Sequence, residues 1–200
     1  MSKDTKQKIL DTARELFNER GYNAVSLKDI ADALNISKGN LTYHFRKKEE
    51  LMEALLTENQ LEELPNSLHT LGDLDEAFRT MEKVVGQHSY YFLNYAQLSQ
   101  LSESISEMQK TNYRMIRELL LQGFRNLHTA ELFRPEAFSG EYDCIVDILC
   151  VSILYWSPFE SLQRSIGAYM DYRHHAWGII YGLLTEKGRL VLSGFAQLDQ

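Results

Sequence analysis

Proline is scarce in this chain: three in 200 residues, at positions 65, 135 and 158. Glycine, at eleven, is thin as well. So few breakers in a chain rich in Leu, Glu and Ala point to helix rather than sheet. Cysteine is limited to Cys144 and Cys150, which form no CxxC pair and no Cys/His cluster with zinc spacing. No metal and no cofactor is called for, and two thiols suit a reducing compartment. They read as small buried hydrophobes, with redox sensing as the lesser alternative. Long apolar runs are missing too. The N-terminus lacks the apolar stretch of a signal peptide, and the most apolar window, 144–156, holds Asp147 and is too short to span a bilayer. The expectation is a soluble, cytoplasmic protein with no membrane partner.

Positive charge is also in deficit, with 21 Lys+Arg against 28 Asp+Glu and a net charge of -7. Taken whole, that balance argues against a polyanion such as DNA. Its distribution says otherwise. Residues 1–48 carry ten basic and six acidic side chains, a net of +4, while residues 49–200 carry 11 and 22, a net of -11. The chain divides on charge into a basic head, 1–48, and an acidic body, 49–200.

Helix signals in the head are dense. Ile9, Leu10, Ala13, Leu16 and Phe17 follow helical spacing and Gly21 supplies a stop. Ser26 caps a second helix with Asp29 at its third position, and Val25 and Ile30 take the two places of a hydrophobic staple. A break follows at Leu34-Asn35-Ile36, where Asn35 suits a left-handed turn. Ser37 caps a third helix, with Asn40 at its third position and Ile36 and Leu41 as its staple. Two stapled helices across a three-residue break describe a helix-turn-helix. The body is helical throughout. A fourth helix is expected from about Lys47 to Leu64, stopped by Pro65. A long aromatic-faced helix should run from about Asp73 to Tyr95, then others over 103–127, 142–156 and 162–185, with a break at Ser157-Pro158.

The runs Gly21-Tyr22-Asn23-Ala24-Val25-Ser26-Leu27-Lys28-Asp29-Ile30-Ala31, Ile36-Ser37-Lys38-Gly39-Asn40-Leu41 and Tyr43-His44-Phe45-Arg46-Lys47-Lys48-Glu49-Glu50-Leu51 resemble the TetR (tetracycline-repressor-like) family of regulators over about 45 residues. More loosely, His88-Ser89-Tyr90-Tyr91-Phe92-Leu93, Trp156 and Leu184-Thr185-Glu186-Lys187-Gly188-Arg189 resemble one of its C-terminal domain types. The resemblance implies an all-α homodimer. Each head would set its third helix in the major groove of double-stranded operator DNA. The body would bind a small-molecule effector that changes the separation of the heads.

Physical chemistry distributes the DNA roles. The first turns of a recognition helix reach base edges. Lys38 would donate to guanine and Asn40 pair with adenine, with Gly39 allowing close approach. Tyr43 and His44 would reach phosphates, and Lys47 and Lys48 would hold one at the start of the fourth helix. Ser37, at the start of the recognition helix, is a candidate for base edges, and Ser26 and Lys28 for the other side of the backbone, the two serines being equally good as plain caps. Where the family usually has Tyr after the Leu of this helix, the chain has Thr42, which suits either a phosphate or a thymine methyl.

In the body, His88, Tyr91, Phe92, Tyr95, Tyr113, Trp156 and Phe159 either line a pocket for a hydrophobic or aromatic effector or fill a core. Segment 142–156 is apolar almost all round, and with 162–185, whose apolar residues recur at helical spacing, it makes the expected dimer surface, a four-helix bundle through Ile145, Leu149, Ser152, Ile166, Met170, Arg173, Trp177 and Tyr181. Asp171, His174 and His175 read as solvated surface in preference to a metal site. No nucleophile triad, phosphate loop or paired carboxylate stands out, which leaves an enzyme little support; the resemblance implies a ligand-responsive regulator, a repressor. Its rivals are a same-fold DNA-binding protein without an inducer, in a structural or division-linked role, and a helical-bundle enzyme or carrier.

Overall fold

The computed structural model describes residues 3–57 and 64–194. The described residues form twelve α-helices and no strand: α1 Lys3–Arg20, α2 Leu27–Ala33, α3 Lys38–His44, α4 Lys48–Thr57, α5 Leu71–Gln87, α6 Ser89–Leu93, α7 Tyr95–Leu101, α8 Glu103–Thr129, α9 Glu141–Leu154, α10 Trp156–Ser165, α11 Tyr172–Ile180 and α12 Glu186–Ser193. A 3-10 turn, Tyr181–Leu183, precedes α12. No single described helix is long and apolar enough to cross a membrane. The described residues fold as two compact units, one from residues 3–57 with Gln87–Gln109, the other from residues 64–86 with 110–194.

The first unit is built as its sequence directs. Gly21, at φ +82°, ends α1 and its N–H returns to Phe17 O at 2.9 Å. Ser26 and Asp29 form a capping box at the start of α2. At the far end Asn35 takes φ +53°, its N–H bonding Asp32 O while that of Ile36 bonds Ala31 O, the paired closure of a Schellman motif. Ile9, Phe17, Ile30 and Leu41 are buried together, and α4 closes the cluster with Leu51, Met52 and Leu55. The core then takes in residues from much later in the chain: Tyr90, Tyr91, Leu98 and Ile105.

That later segment departs from the expected single helix. Instead of 73–95 unbroken, α5 starts at Leu71, capped by Thr70 with Asp73 at its third position, and stops at Gln87. Two short helices follow, parted at Asn94. The break at His88 is held by a distant residue. Asn18 on α1 donates to Gln87 O at 2.9 Å and accepts from the Ser89 hydroxyl at 2.9 Å and the Tyr90 N–H at 3.4 Å. One amide thus serves the end of one helix and the start of the next, groups an uninterrupted helix would satisfy internally.

In the second unit α8 buries Leu120, Phe124 and Leu127, while α9 contributes Val146, Leu149 and Ile153. Phe78 meets the rings of Trp177 and Tyr172 edge-on. A carboxylate sits inside: Asp75 accepts from Arg173 Nε at 2.6 Å and Trp177 Nε1 at 2.8 Å through one oxygen, and from Arg79 Nε at 3.0 Å through the other. Burial alone would raise this carboxyl, but the hydrogen bonds from Trp177, Arg173 and Arg79 hold it below the usual range. The expected break at Ser157-Pro158 falls at Tyr155 instead, where α9 and α10 meet at 64°. Pro158 stands in the first turn of α10, where a missing N–H removes no helical bond. Nor does one helix run 162–185. The chain leaves α10 after Ser165, turns at Gly167 with φ +69°, and restarts at Asp171, which caps α11 by accepting from His174 N. At α12 a glycine is required: a Cβ on Gly188 would stand 2.2 Å from Leu132 O.

Candidate nucleic-acid interface

α3 is anchored from one side and open on the other. Leu41 is fully buried, and the C-cap Phe45 is buried too. At 100° per residue the direction opposite Leu41 belongs to Gly39 and Tyr43, flanked by Thr42 and Asn40. Tyr43 is 82% exposed, with its ring edge against that of His44 at 5.2 Å. Ser37, Lys38 and Gly39 are exposed, and Asn40, Thr42 and His44 partly so. A large aromatic held in water on the open face of a basic helix-turn-helix is poor solvation and good equipment for a partner. Gly39 serves nothing inside the protein: a Cβ there would meet only Ser37 Oγ, at 3.8 Å.

Several hydroxyls expected at DNA are engaged at home. Ser26 Oγ donates to Asp29 Oδ2 at 2.5 Å and accepts from Asp29 N, leaving no donor for a phosphate. Its bond holds the Asp29 carboxyl below its usual range. Ser37 Oγ accepts from Asn40 N at 3.1 Å, the plain cap. Thr42 Oγ1 donates back to Lys38 O at 2.9 Å and Gly39 O at 3.2 Å.

Lys48 differs most from its expected role. Its ammonium donates to Tyr22 O at 2.6 Å and Val25 O at 2.9 Å, and lies 4.1 Å from the centre of the Tyr22 ring. Burial lowers its pKa and lifts that of Tyr22 to about 12. It ties the start of α4 to the loop before α2, a strut the sequence disguised as one member of a basic run. Lys28, Arg46 and Lys47 are exposed. Arg46, whose backbone N–H is held by Glu50 at 2.8 Å, is a cation the motif reading passed over.

The expected effector residues divide between the units. His88, Tyr91, Phe92 and Tyr95 belong to the first, where Tyr91 packs edge-on against Phe92 and Tyr95 with ring centres 5.1 and 5.4 Å away. His88 is buried beside Tyr90, Nδ1 and the phenol oxygen 3.4 Å apart, and burial depresses its pKa to about 4. Trp156 and Phe159 pair in the second unit, while Tyr113 turns outward to donate to Asp147 at 2.9 Å. None of the seven lines the cleft of about 510 Å³ between Leu64–Ser67 and the Met115–Gln122 stretch of α8.

Of the expected dimer residues, Leu149, Arg173 and Trp177 are buried inside the protomer, the latter two bonded to Asp75, and offer a partner no surface. Ile166, Met170 and Tyr181 are exposed, Ile145 and Ser152 partly so. The accessible apolar stripe is a different one: Ile148, Val151, Tyr155, Phe159, Leu162 and Ile166, all more than two-fifths exposed. Its spacing of three and four residues crosses the α9–α10 break, which hid it in the sequence. His174 Nδ1 bonds Asp171 at 2.6 Å as part of the α11 cap, and the described residues hold no cluster of metal-ligating side chains.

Residues 9–55 match the family model described as bacterial regulatory proteins, tetR family. The chain is 27% identical over 130 residues to the HTH-type transcriptional regulator UidR of Escherichia coli K12, a match covering 65% of this chain and 57% of UidR. It is 24% identical over 185 residues to IcaR of Staphylococcus epidermidis, the negative transcriptional regulator of the biofilm operon icaADBC, covering 90% of this chain and 97% of IcaR. Its fold is similar to that of a TetR-family transcriptional regulator from Marinobacter aquaeolei VT8, at a TM-score of 0.84 and 20% identity over 96% of this chain and 97% of the other.

Proposed function

Because the chain is a TetR-family transcriptional regulator, we propose that it is a repressor that binds a palindromic operator as a homodimer and is released by a small hydrophobic or aromatic effector. The observation that carries the DNA half is the outward face of α3. Gly39 and Tyr43 are exposed there, Asn40 and Thr42 flank them, exposed Lys38 opens the helix, and Leu41 locks it to its core. In this reading Asn40 pairs with adenine and Lys38 with guanine. Arg46, Lys47 and Lys28 supply phosphate contacts. The head carries a net +4 although the whole chain carries -7, and local charge, not the total, is what a phosphate backbone meets.

Two-fold pairing is supported by the stripe from Ile148 to Ile166, since a water-exposed apolar row of that length on one protomer is covered by its own copy in a symmetric interface. An operator read by such a dimer has inverted half-sites spaced by whole helical turns. Effector binding is assigned to the second unit, whose cleft of about 510 Å³ falls within the range of small-molecule sites. The chain acts on DNA in the cytoplasm and performs no catalysis. Electrophoretic mobility shifts with wild type and Asn40→Ala test the DNA half: Asn40→Ala should bind more weakly and rank operator variants less sharply, and an unchanged ranking removes Asn40 from base reading.

A further inference from the structure

We propose that the notch between Gly39 and Thr42 receives the C5-methyl group of one thymine in each half-site, making Thr42 a specificity residue that reads DNA through its methyl and not its hydroxyl. The inference rests on the DNA-binding role proposed above. Thr42 lies one turn after Lys38 and three residues after Gly39, on the flank of the open face of α3. Its hydroxyl is turned onto its own helix, bonded to Lys38 O at 2.9 Å and Gly39 O at 3.2 Å. With its one donor spent, this partly buried side chain offers a phosphate nothing, and its apolar offering to a base edge is its γ-methyl. Beside it, Gly39 exposes bare backbone, and nothing in the protein asks for glycine there, because an added Cβ would meet only Ser37 Oγ at 3.8 Å. A glycine in a helix lowers stability, so its presence on the open face fits a surface that must lie close to something outside the chain. Gly39 and Thr42, three residues apart on α3, are neighbours around the helix and bring bare backbone and a methyl-bearing side chain to the same flank. In the major groove the one apolar projection of a base edge is the methyl of thymine.

The test takes the duplex that the full-length protein selects from a random-sequence library and replaces each thymine in turn by deoxyuridine, which removes only that methyl. Wild type should lose about fourfold in affinity, the worth of one buried methyl group, at one position per half-site. Thr42→Val, which keeps the methyl and discards the hydroxyl, should show the same loss. Thr42→Ser, which keeps the hydroxyl and its helix bond, should bind thymine and uracil duplexes equally. Thermal melts should show all three chains folded, since no core contact changes. Wild type indifferent to every replacement overturns the inference. So does Thr42→Ser that still discriminates, or Thr42→Val that fails while Thr42→Ser succeeds, which would give the reading to the oxygen. Selection of no sequence at all would overturn the DNA-binding role itself, a failure distinct from these.

Discussion

The ammonium of Lys48 sits 4.1 Å from the centre of the Tyr22 ring while donating to the carbonyls of Tyr22 and Val25. A cation in a basic run is thereby part of the fold. Lys48→Ala should destabilise the protein by about 1.5–3 kcal/mol, the range for charge-assisted hydrogen bonds left unmade. Lys47→Ala should leave thermal stability unchanged and lower the slope of log affinity against log salt by about one, the signature of a lost phosphate contact. Melting curves and salt titrations on the two variants separate strut from contact. Equal stability of both would remove the structural role of Lys48.

Gly39 and Gly188 should respond oppositely to the same change. Gly188→Ala places a Cβ 2.2 Å from Leu132 O and should destabilise. Gly39→Ala meets nothing and gains helix propensity, so it should stabilise by about 0.5–1 kcal/mol. On DNA the same methyl intrudes into the groove, and operator affinity should fall by about tenfold or more. Denaturant melts paired with mobility shifts give both numbers. A Gly39→Ala variant that binds as well as wild type would show that α3 does not lie close to the bases.

His88 makes the stability of the first unit fall on the acid side. Its folded pKa is about 4 because burial disfavours the imidazolium, whereas the unfolded chain takes up the proton near 6.5. Between those values the unfolded chain binds more protons, so stability is lost as pH drops from about 6.5 towards 4. Compared with His88→Gln, wild type should lose roughly 2–3 kcal/mol more between pH 7.5 and 4.5. Urea melts at the two pH values measure it, and parallel losses in both proteins would mean that His88 is not the group.

Asp75 closes the second unit. Asp75→Asn would leave Arg173, buried and bonded through Nε at 2.6 Å, without its counter-charge. The expected cost is about 3–5 kcal/mol. Because Trp177 Nε1 also donates to Asp75, near-ultraviolet circular dichroism should change along with the melting temperature. Asp75→Asn with wild-type stability would show that the arginine finds another partner.

Local chemistry made the head legible. Ser26 with Asp29, Asn35 in its left-handed turn and Ser37 before Asn40 each act within four residues, and each stands where its spacing placed it. The interruption at His88 was not legible, because it is held by Asn18, about 70 residues away. Pro158 suggested a break that fell at Tyr155, since a first helical turn accepts proline. Among candidate site residues, spacing marked α3 but not direction. Whether Lys48 faces a phosphate or two carbonyls, and whether Trp177 faces a partner or Asp75, depends on contacts with elements distant in sequence.

Selection of duplex DNA from a random-sequence library by the purified chain, with sequencing of what is retained, addresses the DNA-binding role most directly. The expected result is an inverted repeat whose half-sites are spaced by whole turns of the double helix, with Asn40→Ala losing discrimination at one position in each half. Retention of DNA without any enriched sequence, or an enriched sequence that Asn40→Ala and Gly39→Ala select as sharply as wild type, would contradict the assignment of base reading to α3.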